Sequence, residues 1–93
     1  RAFLSFHERF ADTLTKRSVV LILGDARNNY HQAYPEIVAD IRFRARNVFW
    51  LNPEPTNYWN SGDSVIREYA PHCDRVVECR SLRQLEEFVG DLA

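Results

Sequence analysis

Apolar positions along the chain change from helix-like to strand-like spacing and back. The first set recurs three or four residues apart, as on one face of a helix: Phe3, Phe6, Phe10 and Leu14. This spacing predicts a helix over residues 1–16. Residues 18–24 then form a continuous apolar run, Ser-Val-Val-Leu-Ile-Leu-Gly, which is typical of a strand buried on both faces. We therefore expect residues 18–24 to form the central strand of a sheet.

The same change of spacing continues to the end of the chain. It predicts two further helices, over residues 35–46 and 82–92. It also predicts two further strands, over residues 47–52 and 75–79. Asp63 or Ser64 can cap a short helix that runs through Tyr69. Strands that alternate with helices predict an α/β fold with a parallel sheet, here of three strands with about four helices.

Composition excludes several classes of function. The formal net charge is −1, so no basic field indicates nucleic acid. No apolar run reaches the roughly 20 residues of a membrane-spanning helix. Two cysteines, Cys73 and Cys79, are too few for a disulfide framework and lack zinc-binding spacing, so we expect reduced thiols and a cytoplasmic location. The 93 residues contain no methionine, and we expect them to belong to a longer protein.

Polar side chains follow the predicted strands at the edge of the sheet where functional sites of open parallel sheets lie. The set that we expect at this edge comprises Asp25, Arg27, Asn28, Asn29, Asn52, Glu54, Asp63 and Ser64. Carboxylate and amide oxygens suit Mg²⁺, Mn²⁺ or Ca²⁺ rather than zinc. Acids and amides are also ordinary loop residues, and Asn28-Asn29 can simply turn the chain. A metal site and a polar loop therefore both stay open on this pattern alone.

Three arginines crowd the end of the second predicted helix, at positions 42, 44 and 46. Positive charge at a helix C-terminus complements the helix dipole, so a solvated face explains them. A site for phosphate or for an acidic partner is the alternative.

The end of the first predicted strand and the polar residues after it resemble a sequence motif of a known family. Residues 21–30, Leu-Ile-Leu-Gly-Asp-Ala-Arg-Asn-Asn-Tyr, resemble the ILGDGRNNY stretch of bacterial von Willebrand factor A (VWA) proteins of the CoxE-like group. Further motifs of that group recur in the same order: WLNPEP at 50–55, W with GDS at 59 and 62–64, YAPHCD at 69–74, and LRQL at 82–85. The sequence departs from the pattern at residues 31–34 and at Ala26, where glycine is usual and alanine is expected to stiffen the loop.

The resemblance implies a three-layer Rossmann-like fold with a metal-ion-dependent adhesion site (MIDAS) at the carboxyl end of the sheet. An Asp-x-Ser-x-Ser loop, a threonine loop and a third loop with an aspartate build that site, and Asp25 matches this third aspartate. The sequence contains no Asp-x-Ser-x-Ser. We therefore expect residues 1–93 to be the C-terminal half of a single VWA-like domain, with an incomplete metal site.

The other residues at this edge of the sheet take no ligand role from the family motif. Loop shaping and capping are the expected roles of Asn28, Asn29, Asn52, Glu54 and Asp63.

The resemblance also implies a function. CoxE-like proteins are associated with MoxR-type AAA+ ATPases and with the maturation of metalloenzymes such as molybdenum hydroxylases. A non-enzymatic adaptor is implied, which binds Mg²⁺ or Mn²⁺ in the intact domain and takes the last metal ligand from an acidic residue of a partner protein. The implied partners are a MoxR-type ATPase and a client metalloenzyme.

Two other functions stay open. Gly24-Asp25-x-x-Asn28 also resembles the GDxxND metal motif of haloacid-dehalogenase-type phosphatases, although their Asp-x-Asp nucleophile is absent and Asn29 stands where aspartate is expected. A metal-free, small α/β interaction module is the other alternative. For the chain on its own we expect an oligomer, because the sheet edge beside residues 18–24 would otherwise be bare.

Overall fold

A computed structural model describes residues 2–27 and 33–92 of the chain. Helices and strands alternate through these two ranges. The elements are α1 (Ala2–Phe10), β1 (Val19–Leu23), α2 (Pro35–Arg44), β2 (Asn47–Asn52), α3 (Ile66–Tyr69), β3 (Arg75–Glu78) and α4 (Leu82–Leu92). Both strand pairs are parallel. The predicted α/β fold, a parallel sheet of three strands with four helices, is therefore confirmed within the described residues.

The first helix is shorter than its apolar spacing suggested. α1 ends at Phe10, and a single 3₁₀ turn, Ala11–Thr13, follows it. The Thr13 hydroxyl donates to the Phe10 carbonyl at 2.6 Å, and Leu14 already has an extended backbone. Short polar side chains that bond to nearby backbone groups compete with the helix. This local bond accounts for the early end of α1.

The central strand of the described sheet is β2, with β1 on one side and β3 on the other. Five of the six β2 residues are buried. In the described sheet β1 lies at an edge, the one expected to be bare in the chain on its own, and Val19 is 49% and Leu23 is 63% exposed. The central place expected for residues 18–24 in a larger sheet stays a prediction. Each helical connection places the next strand beside the last, so the second of three strands lies in the middle, whichever strand is most apolar.

Side chains that alternate along the strands form two apolar layers, one on each face of the sheet. The larger layer contains Val48 and Trp50 and is covered by residues of α2 and α3, with Phe6 of α1 against its border. The smaller layer contains Phe49, Leu51 and Phe88 of α4. Cover on both faces is what a parallel sheet requires.

The arginines at the end of α2 are engaged in ion pairs. Arg42 Nη2 lies 2.9 Å from Asp74 Oδ1. Arg44 Nε donates to Asp40 Oδ2 at 2.8 Å, and His7 Nε2 of α1 lies 2.6 Å from the same oxygen. The His7 contact and then the Arg44 contact lower the pKa of the Asp40 carboxyl. These pairs join α1, α2 and the start of β3, so two of the three arginines do not form an open phosphate site.

Both cysteines carry free thiols. Burial raises the pKa of Cys73 to about 11, so this thiol stays protonated at neutral pH. None of the described helices has the length and apolar character needed to cross a membrane.

Candidate metal centre at the carboxyl rim

The carboxyl ends of β1 and β2 meet at one edge of the sheet, which we call the rim: residues 24–27, 52–54 and 58–64. Gly24 N donates to the Leu51 carbonyl at 3.1 Å, which extends the ladder past the end of β1. Trp50 Nε1 donates to the Gly24 carbonyl at 2.7 Å from beneath. Trp50 is 2% exposed and stacks on Tyr69 with ring centroids 4.8 Å apart. The point where β1 ends is therefore fixed to the core.

The chain turns sharply at Ala26. Its φ of 59° lies in the left-handed region that alanine adopts at a cost and glycine adopts freely. The Ala26 carbonyl accepts from Val65 N at 2.8 Å, and its side chain is buried in the larger apolar layer. This backbone conformation explains why glycine is usual at the position, and the departure noted in the sequence is a strained turn.

Asp25 stands at the start of this turn. Its Oδ1 accepts from Arg27 N at 2.9 Å, a turn in which the carboxylate bonds the backbone two residues on. No hydrogen bond to Asp25 Oδ2 occurs in the described residues, and the side chain is half-buried. One carboxylate oxygen is thus held in place and the other is available to a ligand.

Asn52 is a fully buried amide that joins the first two segments of the rim. Its Nδ2 donates to the Asp25 carbonyl at 3.4 Å, and its Oδ1 accepts from Glu54 N at 2.9 Å. Asn52 has no exposed surface. Contacts of this kind favour the loop-shaping role over a ligand role, because the amide oxygen already serves the backbone.

Arg27 occupies the middle of the rim. Its guanidinium donates to both oxygens of Glu54, from Nε to Oε2 at 2.7 Å and from Nη2 to Oε1 at 2.8 Å. Nη1 donates to the Ser61 carbonyl at 2.8 Å and to Asp63 Oδ1 at 3.2 Å. Nη2 also donates to the Tyr58 carbonyl at 3.1 Å. The sequence predicted that Arg27 lies at this edge but gave it no role. The only feature that singled it out is that it is the one basic residue among three acidic ones.

Charge at the rim follows from these contacts. The bond to Glu54 and then the bond to Asp63 raise the pKa of the Arg27 guanidinium above its usual range. The Arg27 bond in turn lowers the pKa of the Glu54 carboxyl. Glu54 and Asp63 therefore form ion pairs with Arg27, and both side chains are largely shielded from solvent, at 26% and 14% exposed.

Ser64 is the one polar side chain of the described rim that is buried without a hydrogen-bond partner for its oxygen. Its backbone lies opposite Arg27 in an isolated antiparallel bridge. Asn28 and Asn29, the other candidates of this edge, lie outside the described residues.

The fit to a metal ion can be judged from the donor set. In residues 2–27 and 33–92, no three His, Cys, Asp or Glu side chains are grouped so that they could hold an ion. Asp25 offers one free carboxylate oxygen, whereas both Glu54 oxygens and one Asp63 oxygen bind Arg27. The described residues do not fit a complete metal site. Asp25 could supply one carboxylate oxygen to an ion.

Comparison with known proteins agrees with the sequence motifs. A sequence model of the family described as VWA domain containing CoxE-like protein matches residues 1–88. No curated protein and no solved structure matches the chain at the significance that we required.

Proposed function

The chain belongs to the family of VWA domain containing CoxE-like proteins, and from this premise we propose that it supplies the aspartate loop of a metal-dependent protein-binding module. Asp25 is the proposed metal ligand, with Mg²⁺ or Mn²⁺ as the ion, because hard oxygen ligands suit these cations. The remaining ligands come from outside the described residues, as the front half of such a domain would provide them. The proposed module is an adaptor and carries out no chemistry of its own.

The observation that carries this proposal is the difference between Asp25 and the other acids of the rim. Glu54 and Asp63 face Arg27, whereas Asp25 Oδ2 has no hydrogen bond in the described part of the chain. Asp25 also follows a strand at the carboxyl end of a parallel sheet, where ligands of such folds bind. A bound metal ion would add positive charge with an open ligand position, which can recognise a carboxylate of a partner protein.

The proposed partners are a MoxR-type AAA+ ATPase and a client metalloenzyme whose maturation the pair supports, and the proposed location is the cytoplasm. The experiment measures binding of the whole natural protein that contains these residues to its MoxR-type ATPase, by calorimetry in Mg²⁺, in Mn²⁺ and in EDTA. We expect binding in either metal, and loss of binding in EDTA and in Asp25→Asn. The matched control is Asp91→Asn, an exposed acid of α4, which should bind as the wild type does.

Binding that persists in EDTA and in Asp25→Asn would instead identify a metal-free interaction module. Magnesium-dependent hydrolysis of a phosphate ester that disappears in Asp25→Asn would identify a phosphatase. Either result would overturn the proposal, and the same protein preparations serve both assays.

A further inference from the structure

We propose that the outer edge of β1, the side that faces away from β2, pairs with the same edge of a second copy of this chain. The two β1 strands run antiparallel and are centred on Leu21, so that their sheets join into one. This pairing gives the oligomer expected from the sequence a symmetry, a register and a set of contacts. It concerns the 93-residue chain and is independent of the proposed function.

The backbone of β1 presents alternate residues to its outer side. Gly24 N donates to the Leu51 carbonyl of β2 at 3.1 Å, so the peptide groups of Gly24 face inward. The direction alternates along a strand, and the N–H and C=O groups of Val19, Leu21 and Leu23 therefore point away from β2. In the described sheet β1 pairs with β2 alone. These three residues can form a ladder with another strand.

The side chains of β1 complement themselves in the antiparallel direction. A pair centred on Leu21 places Val19 opposite Leu23 of the second copy at both ends of the strand. Val19 and Leu23 are the two exposed side chains of β1, at 49% and 63%. Apolar side chains directly opposite each other stabilise a sheet. Each exposed side chain of one copy therefore covers the exposed side chain of the other.

The hydrogen-bonding groups agree with the same register. Val19, Leu21 and Leu23 all point outward, and centring on Leu21 places each of them opposite an outward-pointing residue of the second copy. Each such pair exchanges two bonds, which gives about six in all. A slip of one residue would place outward-pointing groups opposite inward-pointing ones. The register is therefore set by the backbone as well as by the side chains.

The charges that flank β1 favour the antiparallel direction. Lys16 and Arg17 precede the strand and are exposed, and Asp25 follows it. Antiparallel pairing brings the basic end of one strand beside the acidic end of the other. Parallel pairing would bring like charges together, which destabilises a strand pair.

The opposite edge of the described sheet differs from the β1 edge. β3 begins at Arg75 and ends at Glu78, and its two valines are half-buried. Both end charges have contacts within the chain: Arg75 lies over the Phe88 ring, and the Glu78 carboxylate accepts from Thr56 N at 3.0 Å. Charged ends of this kind protect a strand edge. Two-fold pairing through β1 therefore closes at a dimer.

The experiment measures the mass of the 93-residue chain in solution by light scattering, and circular dichroism establishes that each variant is folded. We expect the wild type to have the mass of two chains. Leu23→Lys and Val19→Glu should each have the mass of one, because a charge then faces an apolar side chain at both ends of the interface. An equimolar mixture of these two variants should recover the mass of two chains, because the new lysine faces the new glutamate.

Two controls test the place and the register of the contact. Leu82→Glu adds the same charge at another exposed apolar side chain, 71% exposed at the start of α4, and should keep the wild-type mass. A mixture of Leu23→Lys with Leu23→Glu should stay monomeric, because residue 23 faces residue 19 of the second copy and not residue 23.

The masses decide the proposal. A wild-type chain that is monomeric, unfolded or larger than a dimer would overturn it, and a folded monomer would leave the edge to a strand from another part of the protein. Recovery in the mixture of Leu23→Lys with Leu23→Glu, or no recovery with Val19→Glu, would overturn the register. If Val19→Glu does not fold, the reversed pair of Val19→Lys with Leu23→Glu decides the same question.

Discussion

Arg27 and Glu54 form a bidentate ion pair, with Arg27 Nε 2.7 Å from Glu54 Oε2 and Arg27 Nη2 2.8 Å from Glu54 Oε1. Parallel bonds of this kind combine charge with a fixed geometry. The pair joins the loop after β1 to the loop after β2, and its side chains are about a quarter exposed. A glutamate that looks like a metal ligand in the sequence is thereby engaged as the counter-charge of an arginine.

Acid should destabilise the protein partly through this pair. Arg27 lowers the pKa of folded Glu54, so in the unfolded chain Glu54 takes up its proton at a higher pH than in the folded one. The ionised Glu54 carboxylate contributes its full stabilisation above the ordinary glutamate pKa of about 4.3. This contribution is lost as the pH falls through the lower pKa that Glu54 has in the folded protein.

Urea unfolding between pH 6 and pH 3 tests this linkage. The free energy of unfolding should fall with pH in the wild type and fall less steeply in Glu54→Gln and in Arg27→Gln. Some slope should remain in both variants, because His7 and Arg44 lower the pKa of Asp40 in the same direction. Equal slopes in the wild type and both variants would contradict the role of the pair.

Substitution of Ala26 should change the free energy of unfolding through two opposite effects, backbone strain and side-chain burial. Ala26→Gly relieves left-handed strain of about 1–2 kcal/mol but removes a buried methyl group worth about 0.8 kcal/mol, and glycine also gains freedom in the unfolded chain. We expect a net change of less than about 1 kcal/mol. Ala26→Val should cost about 2 kcal/mol or more, because a branched residue tolerates positive φ poorly and the site is buried.

Chemical denaturation of the wild type, Ala26→Gly and Ala26→Val measures these differences. A valine variant as stable as the wild type would show that residue 26 does not hold the left-handed conformation in solution.

The outer edge of β1 predicts self-association of the 93-residue chain on its own. β1 pairs with β2 alone in the described sheet, and Val19 and Leu23 are exposed beside that edge. An unpaired strand edge with apolar side chains is a template for pairing with another chain. We expect light scattering to show oligomers, and Leu23→Lys to reduce them. A clean monomer of the wild-type chain would contradict this expectation.

Local patterns predicted most of the elements because the cause of each lies within a few residues. The bounds of β2 agree with the predicted 47–52, β3 ends one residue early, and α4 has the predicted range. α1 ends early because Thr13 bonds to the backbone, a competition that apolar spacing does not register. The edge position of β1 in the described sheet follows from the connections between strands, whereas apolar content reports only burial in general.

The rim was predicted as a set of residues but not as a set of contacts. Topology alone brings Asp25, Asn52, Glu54 and Asp63 to one edge, and the sequence anticipated this. Which acid meets which partner depends on the length and direction of one side chain. Arg27 reaches residues 31 to 36 positions away, at Tyr58, Ser61 and Asp63. No sequence spacing predicts a contact of that kind.

The most direct test of the central claim is a titration of the whole natural protein that contains these residues, and of its Asp25→Ala variant, with Mg²⁺ and with Mn²⁺. We expect saturable binding of both ions by the wild type and no measurable binding by Asp25→Ala, with both proteins folded by circular dichroism. Equal affinity of the wild type and the variant for either ion would contradict the claim that Asp25 is a metal ligand.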